Sequence, residues 1–231
     1  MGCPKLAEGS AIRLTRVDSC GRPVEGEDNA VQDDCWASVQ MEPNVRTATD
    51  IELIGMTGQT CAFKRGRPDF RGFDVTATFF GASPEEIEIL TGNPVYFDHD
   101  GNPVGWDDCQ VSVAEGFALE IWQEVIGEEC AEDSDSGQWF YWLLPWLTGG
   151  VLGGVTVGAE GLQFTLTAAT RANNLWYLGP WDVQAQDSEG TAGPLLTPIG
   201  STCHRRSFLT TVAPPSDIEC GYITVPPNNI S

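Results

Sequence analysis

Basic residues are scarce in this chain: 12 lysines and arginines stand against 33 aspartates and glutamates, giving a formal charge of −21 over 231 residues. A surface of this sign repels the phosphates of nucleic acids and of anionic membranes, so both kinds of binding partner are disfavoured. Solubility, or a host adapted to salt, explains such a charge equally well. The alternative explanation is a surface that must not bind nucleic acid passing close to it.

The residues and spacings that most enzymes and metal sites use are also missing. There are only two histidines, His99 and His204, and no two cysteines have the Cys-x-x-Cys spacing of a structural zinc site. No G-x-S-x-G motif, P-loop or dinucleotide fingerprint occurs, and paired carboxylates carry little information in so acidic a chain. We therefore expect no catalytic residues, no metal and no cofactor.

One stretch, Asp98-His99-Asp100-Gly101-Asn102, opens like a calcium-binding loop, with oxygen ligands at alternate positions. Its twelfth position is Cys109 rather than a glutamate, and no helical pattern flanks it. The more ordinary interpretation is a turn, because aspartate and asparagine favour turns without any ion.

No export signal is predicted, because the first residues, Met1 to Lys5, contain no apolar segment. We accordingly expect the eight cysteines to be made in a reducing compartment and most of them to fill small spaces in a core or an interface, while a few could oxidise later outside a cell. The most apolar stretch, residues 139–157, is interrupted by Pro145 and four glycines, so it is a poor membrane-spanning helix. Buried strands joined by a glycine-rich turn are the better interpretation, and no membrane contact is expected.

Short alternating segments, separated by many of the 26 glycines and 15 prolines, predict a single, mainly β domain over residues 1–231. Cys35–Met41 and Thr47–Ile54 are predicted to pair through a turn at Glu42-Pro43-Asn44, and Gly55–Pro68 is predicted to be a long exposed loop. Phe70–Phe80 has the clearest strand pattern. A short helix is predicted after it, with Ser83 as N-cap, Pro84 first, Glu86 completing a capping box and Gly92 at the end.

An imperfect internal repeat relates residues of about 70–95 to residues of about 160–183. Each copy has a Thr-x-Thr strand, then a helical turn, then a glycine and a proline; the second helical turn is predicted over Arg171–Tyr177. Duplication of one unit favours a scaffold built for assembly over an enzyme built around a single cleft.

Three stretches, Gly9–Val24, Val75–Gly92 and Pro198–Arg206, resemble the opening, centre and close of major tail proteins from long, non-contractile-tailed phages of actinobacteria. The resemblance implies a β-sandwich or barrel-like subunit with a short flanking α-helix. It also implies six-fold rings in which inner hairpins close into a β-barrel, so that no strand edge is left open. The protein would then belong to the virion, assembled in the host cytoplasm. Its expected partners are identical rings and the terminator, tape measure and distal tail proteins, while viral DNA passes through the lumen without specific binding.

Within that arrangement, alternation predicts which side chains line the lumen. The strands whose face opposite the lumen is apolar are Thr47–Ile54, Phe70–Phe80, Trp139–Leu147 and Gly161–Thr170. Of these, Trp139–Leu147 is apolar enough to lie partly at a subunit interface. The predicted lumen residues are Asp50, Glu52, Asp74, Thr76, Thr78, Gln163, Thr165 and Thr167. The basic residues Lys64, Arg65 and Arg67 are predicted to contact an acidic face of the next ring.

Two other functions stay open. A tail terminator or connector ring caps a tube without polymerising. A carbohydrate-binding β-sandwich stacks sugars on exposed tryptophan rings, of which the chain offers eight, but it needs export and disulfides. A soluble hydrolase has the least support.

Overall fold

The computed structural model of this protein describes residues 5–109, 115–126, 137–153, 163–216, 218 and 221–229. These residues are mainly β, as the alternation predicts, with one helix, α1 (Pro84–Thr91). The longer strands are β1 (Lys5–Val17), β2 (Gly26–Asp33), β3 (Trp36–Arg46), β6 (Asp69–Phe79), β9 (Gly116–Ile126), β10 (Trp139–Leu152) and β11 (Phe164–Thr170). The shorter strands are β4 (Ile51–Ile54), β5 (Thr60–Lys64), β7 (Val95–Phe97), β8 (Pro103–Trp106), β12 (Gln184–Ala185), β13 (Ala192–Gly193), β14 (Arg206–Thr210) and β15 (Ile223–Val225).

Nine strands form one antiparallel sheet in the order β15–β2–β1–β9–β10–β11–β6–β3, with β14 beside the first half of β10. Side chains from both ends of this sheet meet in one apolar core, which α1 enters through Ile89 and Leu90. The approach is close, because a Cβ placed on Gly9 of β1 would overlap the ring of Trp36 in β3. The sheet therefore turns back on itself around that core.

Strand β9 is buried on both faces, because the first core covers one face and a second core covers the other. Leu119 and Ile121 belong to the first core, whereas Ala118 and Trp122 belong to the second. The second core is completed by residues that follow β11: Trp176, Val183, Leu195 and Ile199. Burial on two faces also explains why residues 139–147 of β10 are apolar at nearly every position.

An ionic network lies on the second-core side of this sheet. The Arg13 guanidinium donates two hydrogen bonds of 2.7 Å to the Glu120 carboxylate, and the Tyr141 hydroxyl donates another. The guanidinium carbon of Arg13 also lies 4.0 Å from the centroid of the Trp181 ring. Burial and the adjacent Glu120 charge raise the pKa of Tyr141 well above its ordinary value. One carboxylate therefore joins β1, β9 and β10.

Helix α1 begins and ends where its sequence predicts. The Ser83 hydroxyl accepts a hydrogen bond from the Glu86 amide at 3.1 Å, and Gly92 ends the helix with a φ of 77°. Only half of the capping box forms, because the Glu86 side chain is buried and its Oε1 atom has no hydrogen-bond partner among the described residues. Burial and the nearby Asp33 carboxylate raise the pKa of Glu86 to about 8. No helix in the described ranges has the length and hydropathy to cross a membrane.

The predicted pairing of Cys35–Met41 with Thr47–Ile54 is wrong. Strand β3 continues through Glu42-Pro43-Asn44 without a turn and pairs with β6. A proline is tolerated there because β3 lies at the edge of the sheet. Strand β4 pairs instead with β5, so the predicted loop Gly55–Pro68 contains one strand of a hairpin.

The predicted second helical turn, Arg171–Tyr177, is also wrong. The segment is an irregular loop with a bend, and φ is positive at Asn173 (69°) and at Tyr177 (56°). The side-chain amide of Asn174 holds it in place by donating to three backbone carbonyls, those of Gly200, Ser201 and Cys203. The strands of the two repeat copies, β6 and β11, are neighbours in the sheet. Residues 160–162 of the second copy lie outside the described residues.

Candidate assembly surface

One exposed face of the sheet is a grid of small and polar side chains on β3, β6 and β11. Residues directly opposite each other in register share one face of a sheet. From β3 to β6 to β11, the three rows are Ser38–Thr78–Thr165, Gln40–Thr76–Thr167 and Glu42–Asp74–Ala169. These nine residues, which we call the polar face, carry hydroxyls, carboxylates and an amide but no basic group.

Five predicted lumen residues lie together on the polar face: Asp74, Thr76, Thr78, Thr165 and Thr167. Sequence reasoning missed Ser38, Gln40 and Glu42, because a turn was expected after Met41. Their two-residue spacing was the signal that indicated one strand face. The alternate residues of β6 and β11 enter the first core, which is what leaves the polar positions exposed.

The other predicted lumen positions are placed differently. Asp50 and Glu52 lie on the β4–β5 hairpin, where Asp50 accepts the Gly66 amide at 2.7 Å and Glu52 accepts the Thr60 hydroxyl at 2.6 Å. Gln163 is exposed and directly precedes β11. The run Trp139–Leu147 is largely buried in the two cores, so the expectation that it presents a lumen face is wrong.

The strands at this end of the sheet have two free edges. In the described part of the chain, β3 pairs only with β6, and the last two residues of β10, Val151 and Leu152, pair only with β11. A free edge presents backbone N–H and C=O groups that accept another strand. Val151, opposite Thr167, is 62% exposed, so an apolar side chain borders the polar face there.

At the ends of β3 and β6 that lie farthest from α1, the chain projects as a hairpin. We call it the arm (residues 46–71), and it includes the last residue of β3 and the first three residues of β6. Strands β4 and β5 pair only with each other in the described structure, and an isolated two-stranded hairpin is marginally stable in water. Large apolar side chains of the arm are exposed: Ile51, Leu53, Ile54, Met56 and Phe63. The arm holds five of the 12 basic residues and three of the 33 acidic ones, so its net charge is +2 and that of the remaining chain is −23. Lys64, Arg65 and Arg67 are all exposed on it.

The segment Asp98–Asn102 has the contacts of an aspartate turn. The Asp98 carboxylate accepts the backbone amides of Asp100 and Asn102 at 2.9 and 2.8 Å and also the Asn102 side-chain amide. These hydrogen bonds, that of the Asn102 side chain first, lower the pKa of Asp98. Asp98, His99 and Asp100 each offer one ligand atom, and these three atoms lie close enough together to bind one ion. The hydrogen bonds of Asp98 explain the turn without an ion.

The described cysteines do not fill a core. Five are free and exposed: Cys20, Cys35, Cys61, Cys109 and Cys203. The expectation that cysteines are small core residues is wrong for these five. Cys3, Cys130 and Cys220 lie outside the described residues.

The buried histidine, His204, belongs to a packed junction between β6 and β11. Its Nδ1 atom lies 2.9 Å from the Thr170 hydroxyl, which also accepts the Phe73 amide at 2.8 Å. A Cβ on Gly72 would overlap the His204 ring, and burial lowers the pKa of His204. These contacts give the ring a structural role.

The chain matches no model of a protein family and no curated protein.

Proposed function

We propose that this chain is the subunit of a phage tail tube, a structural protein whose six-fold rings stack and conduct viral DNA through their lumen. The observation that carries the proposal is the polar face, because there an exposed acidic surface lies between two free strand edges. In a ring, each free edge pairs with a neighbouring subunit, and the polar faces together enclose one channel. Closure into a barrel removes edges that otherwise cause aggregation.

The chemistry of the polar face suits the passage of DNA. Glu42 and Asp74 supply negative charge, and no lysine or arginine lies among its nine residues. Six copies of this surface would repel phosphates over a distance of about 8 Å at physiological salt. The threonine hydroxyls keep the wall hydrated without adding a charge that holds the backbone. DNA would therefore slide through without specific binding.

The arm suits the stacking of one ring on the next. Its net charge of +2 opposes the −23 of the rest of the chain, so a second copy offers complementary charge. Contact between an arm and a different surface of the next copy is head-to-tail, and such contacts build open filaments when the rotation does not close. Lys64, Arg65 and Arg67 are the proposed inter-ring residues.

The proposed tube subunit has partners at three places. Identical subunits form the homohexamer and the neighbouring rings. The terminator and the distal tail protein meet the two ends of the tube, and the tape measure protein lies inside it during assembly. The protein belongs to the virion, after assembly in the host cytoplasm, and contacts no membrane.

A terminator or connector ring is the second candidate, because a single ring also uses free edges and a polar channel. The exposed apolar residues of the arm favour stacking, since they need a partner beyond the ring. A carbohydrate-binding module is disfavoured by burial: all eight tryptophans are buried or half-buried in the described structure. Such a module needs an exposed ring to stack on a sugar.

Negative-stain electron microscopy of the purified protein, at rising concentration and with or without reductant, tests the proposed function. We expect hollow tubes or stacked six-fold rings. Rings that never stack would favour the terminator or connector. A monomer at every concentration would contradict the proposal.

Charge reversal on the arm tests the stacking role separately. The triple variant Lys64→Glu, Arg65→Glu, Arg67→Glu should form rings but no tubes. Arg22→Glu, which reverses one exposed charge outside the arm, is a single-site control and should form normal tubes. Tubes of normal length from the triple variant would show that these residues do not hold the rings together.

A further inference from the structure

A groove of about 410 Å³ lies beside the free edge of β3, where that strand approaches β9 and β10. Trp36, Val39 and Met41 of β3 line it, together with Ile121 of β9 and Trp142 of β10. Arg205, whose side chain is exposed, also lines the groove. Tryptophan, methionine and arginine are the residues that protein interfaces favour.

The head group of Arg205 is held by rings and a thioether rather than by an acid. Its guanidinium carbon lies 4.6 Å from the Phe73 ring centroid and 5.1 Å from that of Trp142, and Nη1 lies 3.8 Å from the Met41 sulfur. Within the described residues, no carboxylate lies within 4 Å of this guanidinium, although the chain has 33 acids. Stacking fixes a guanidinium while leaving its edge free to donate two parallel hydrogen bonds.

We propose that this groove binds an extended acidic segment of a second copy of this chain, with a carboxylate on Arg205 and an apolar side chain against Trp36 and Trp142. The inference rests on the proposed function, since it names one contact between neighbouring subunits. Two features select this occupant. The chain itself supplies carboxylates in large excess over cations, and the free edge of β3 beside the groove lets an extended segment add as a further strand.

Arg205→Lys, treated with a water-soluble carbodiimide, tests the contact directly. The carboxylate adds to the carbodiimide to give an activated ester, and an amine in contact with it displaces the reagent as a urea and forms an amide. Subunits labelled with ¹⁴N and ¹⁵N are mixed before assembly, cross-linked and digested, and the linked peptides are weighed. We expect a cross-link from position 205 to an acidic peptide, with both isotopes present in one product. Links found within a single isotope only, or no link at 205, would overturn the proposal.

Arg206→Lys is the matched control. The Arg206 guanidinium donates to the backbone carbonyls of Thr197 and Pro198, away from the groove, so this variant should give no inter-chain link at position 206. An equal yield of mixed-isotope links at both positions would mean random coupling and would overturn the assignment.

Arg205→Glu gives a second readout. Its loss of a charge pair should weaken subunit association by about 30-fold or more in analytical ultracentrifugation, with an unchanged far-ultraviolet circular dichroism spectrum. Unchanged association would overturn the groove contact even if tubes form, which leaves the tube proposal standing. Conversely, mixed-isotope links in a protein that never forms rings would support the groove and contradict the tube.

Discussion

Two carboxylates of the same sheet, Glu120 in β9 and Asp74 in β6, show how differently its two ends are built. Glu120 is fully buried and accepts hydrogen bonds from Arg13 and Tyr141. Asp74 is exposed and accepts one, from the Asn44 side chain at 2.9 Å. Both lie in well-formed strands, so the strand pattern alone treats them alike. What separates them is the layer above: the second core covers Glu120, and no described residue covers the polar face.

This difference separates two kinds of β structure within one sheet. The β1–β9–β10 end is complete by itself, because each face has a core and each buried charge has a partner. The β11–β6–β3 end exposes one face, two edges and the arm. A partner chain stabilises a sheet end of the second kind most, since the backbone groups and apolar side chains there are exposed and available for pairing and burial.

The largest effect is expected from breaking the covered carboxylate. Glu120→Leu leaves the Arg13 charge buried without its acid and removes the acceptor of Tyr141, so we expect a loss of about 3–5 kcal/mol in the free energy of unfolding. Urea denaturation followed by tryptophan fluorescence measures it. Glu120→Gln, which keeps an acceptor oxygen, should lose less. An equal loss in both variants would mean that the acceptor oxygen kept by glutamine contributes nothing and that the lost charge alone decides the effect.

A third carboxylate sharpens the comparison, because Glu86 is as buried as Glu120 but lacks donors on Oε1. Its pKa rises from the ordinary 4.5 to about 8 on folding. At pH 4 both states are protonated. Above pH 4.5 the unfolded chain ionises while the folded one does not, so stability falls with rising pH until about pH 8 and is then constant.

Glu86→Gln should therefore remove this loss. The stability of the variant relative to the parent should grow by about 3 kcal/mol between pH 4 and pH 7. Thermal or urea unfolding across this range measures it, with Glu85→Gln on the same helix turn as the control. Parallel pH curves for Glu86→Gln and the parent would show that Glu86 is ionised in the folded protein.

Much of the fold follows from local patterns. The alternation of Phe70–Phe80 sets one face of β6 in the core, and the Ser83, Pro84 and Gly92 signals place α1 to the residue. These signals act over a few residues, so no distant partner has to be known. The polar positions of β6 and β11 could be predicted for the same reason.

The errors come from long-range context. Pro43 reads as a turn signal because a proline cannot donate to a neighbouring strand, and only the edge position of β3 makes it harmless. The local sequence of Arg171–Tyr177 predicts a helical turn, but the Asn174 side chain donates to backbone carbonyls near residue 200 instead. The groove at Arg205 combines side chains from three strands and a distant loop, so no spacing in the sequence could indicate it.

A smaller effect is expected at the junction of the two ends, where His204 meets Thr170. Burial lowers the pKa of His204 below the ordinary 6.5, so the unfolded chain takes up a proton first, and stability falls as the pH drops through 6.5. The slope is opposite to that of Glu86, so it is best measured in the Glu86→Gln background. His204→Gln should flatten the curve between pH 7 and pH 5. An unchanged slope would assign the acid sensitivity to other groups.

The smallest effect is expected on the polar face itself. Asp74→Asn removes a charge that no described core covers, so the free energy of unfolding of the isolated subunit should change by no more than about 0.5 kcal/mol. The substitution keeps the side-chain shape and an oxygen that can accept from Asn44. Urea denaturation at a concentration below assembly is the measurement, since any partner on this face would add its own contribution. A loss of 2 kcal/mol or more would mean that Asp74 is held as firmly as Glu120, and exposure would then not distinguish a surface charge from a structural one in this sheet.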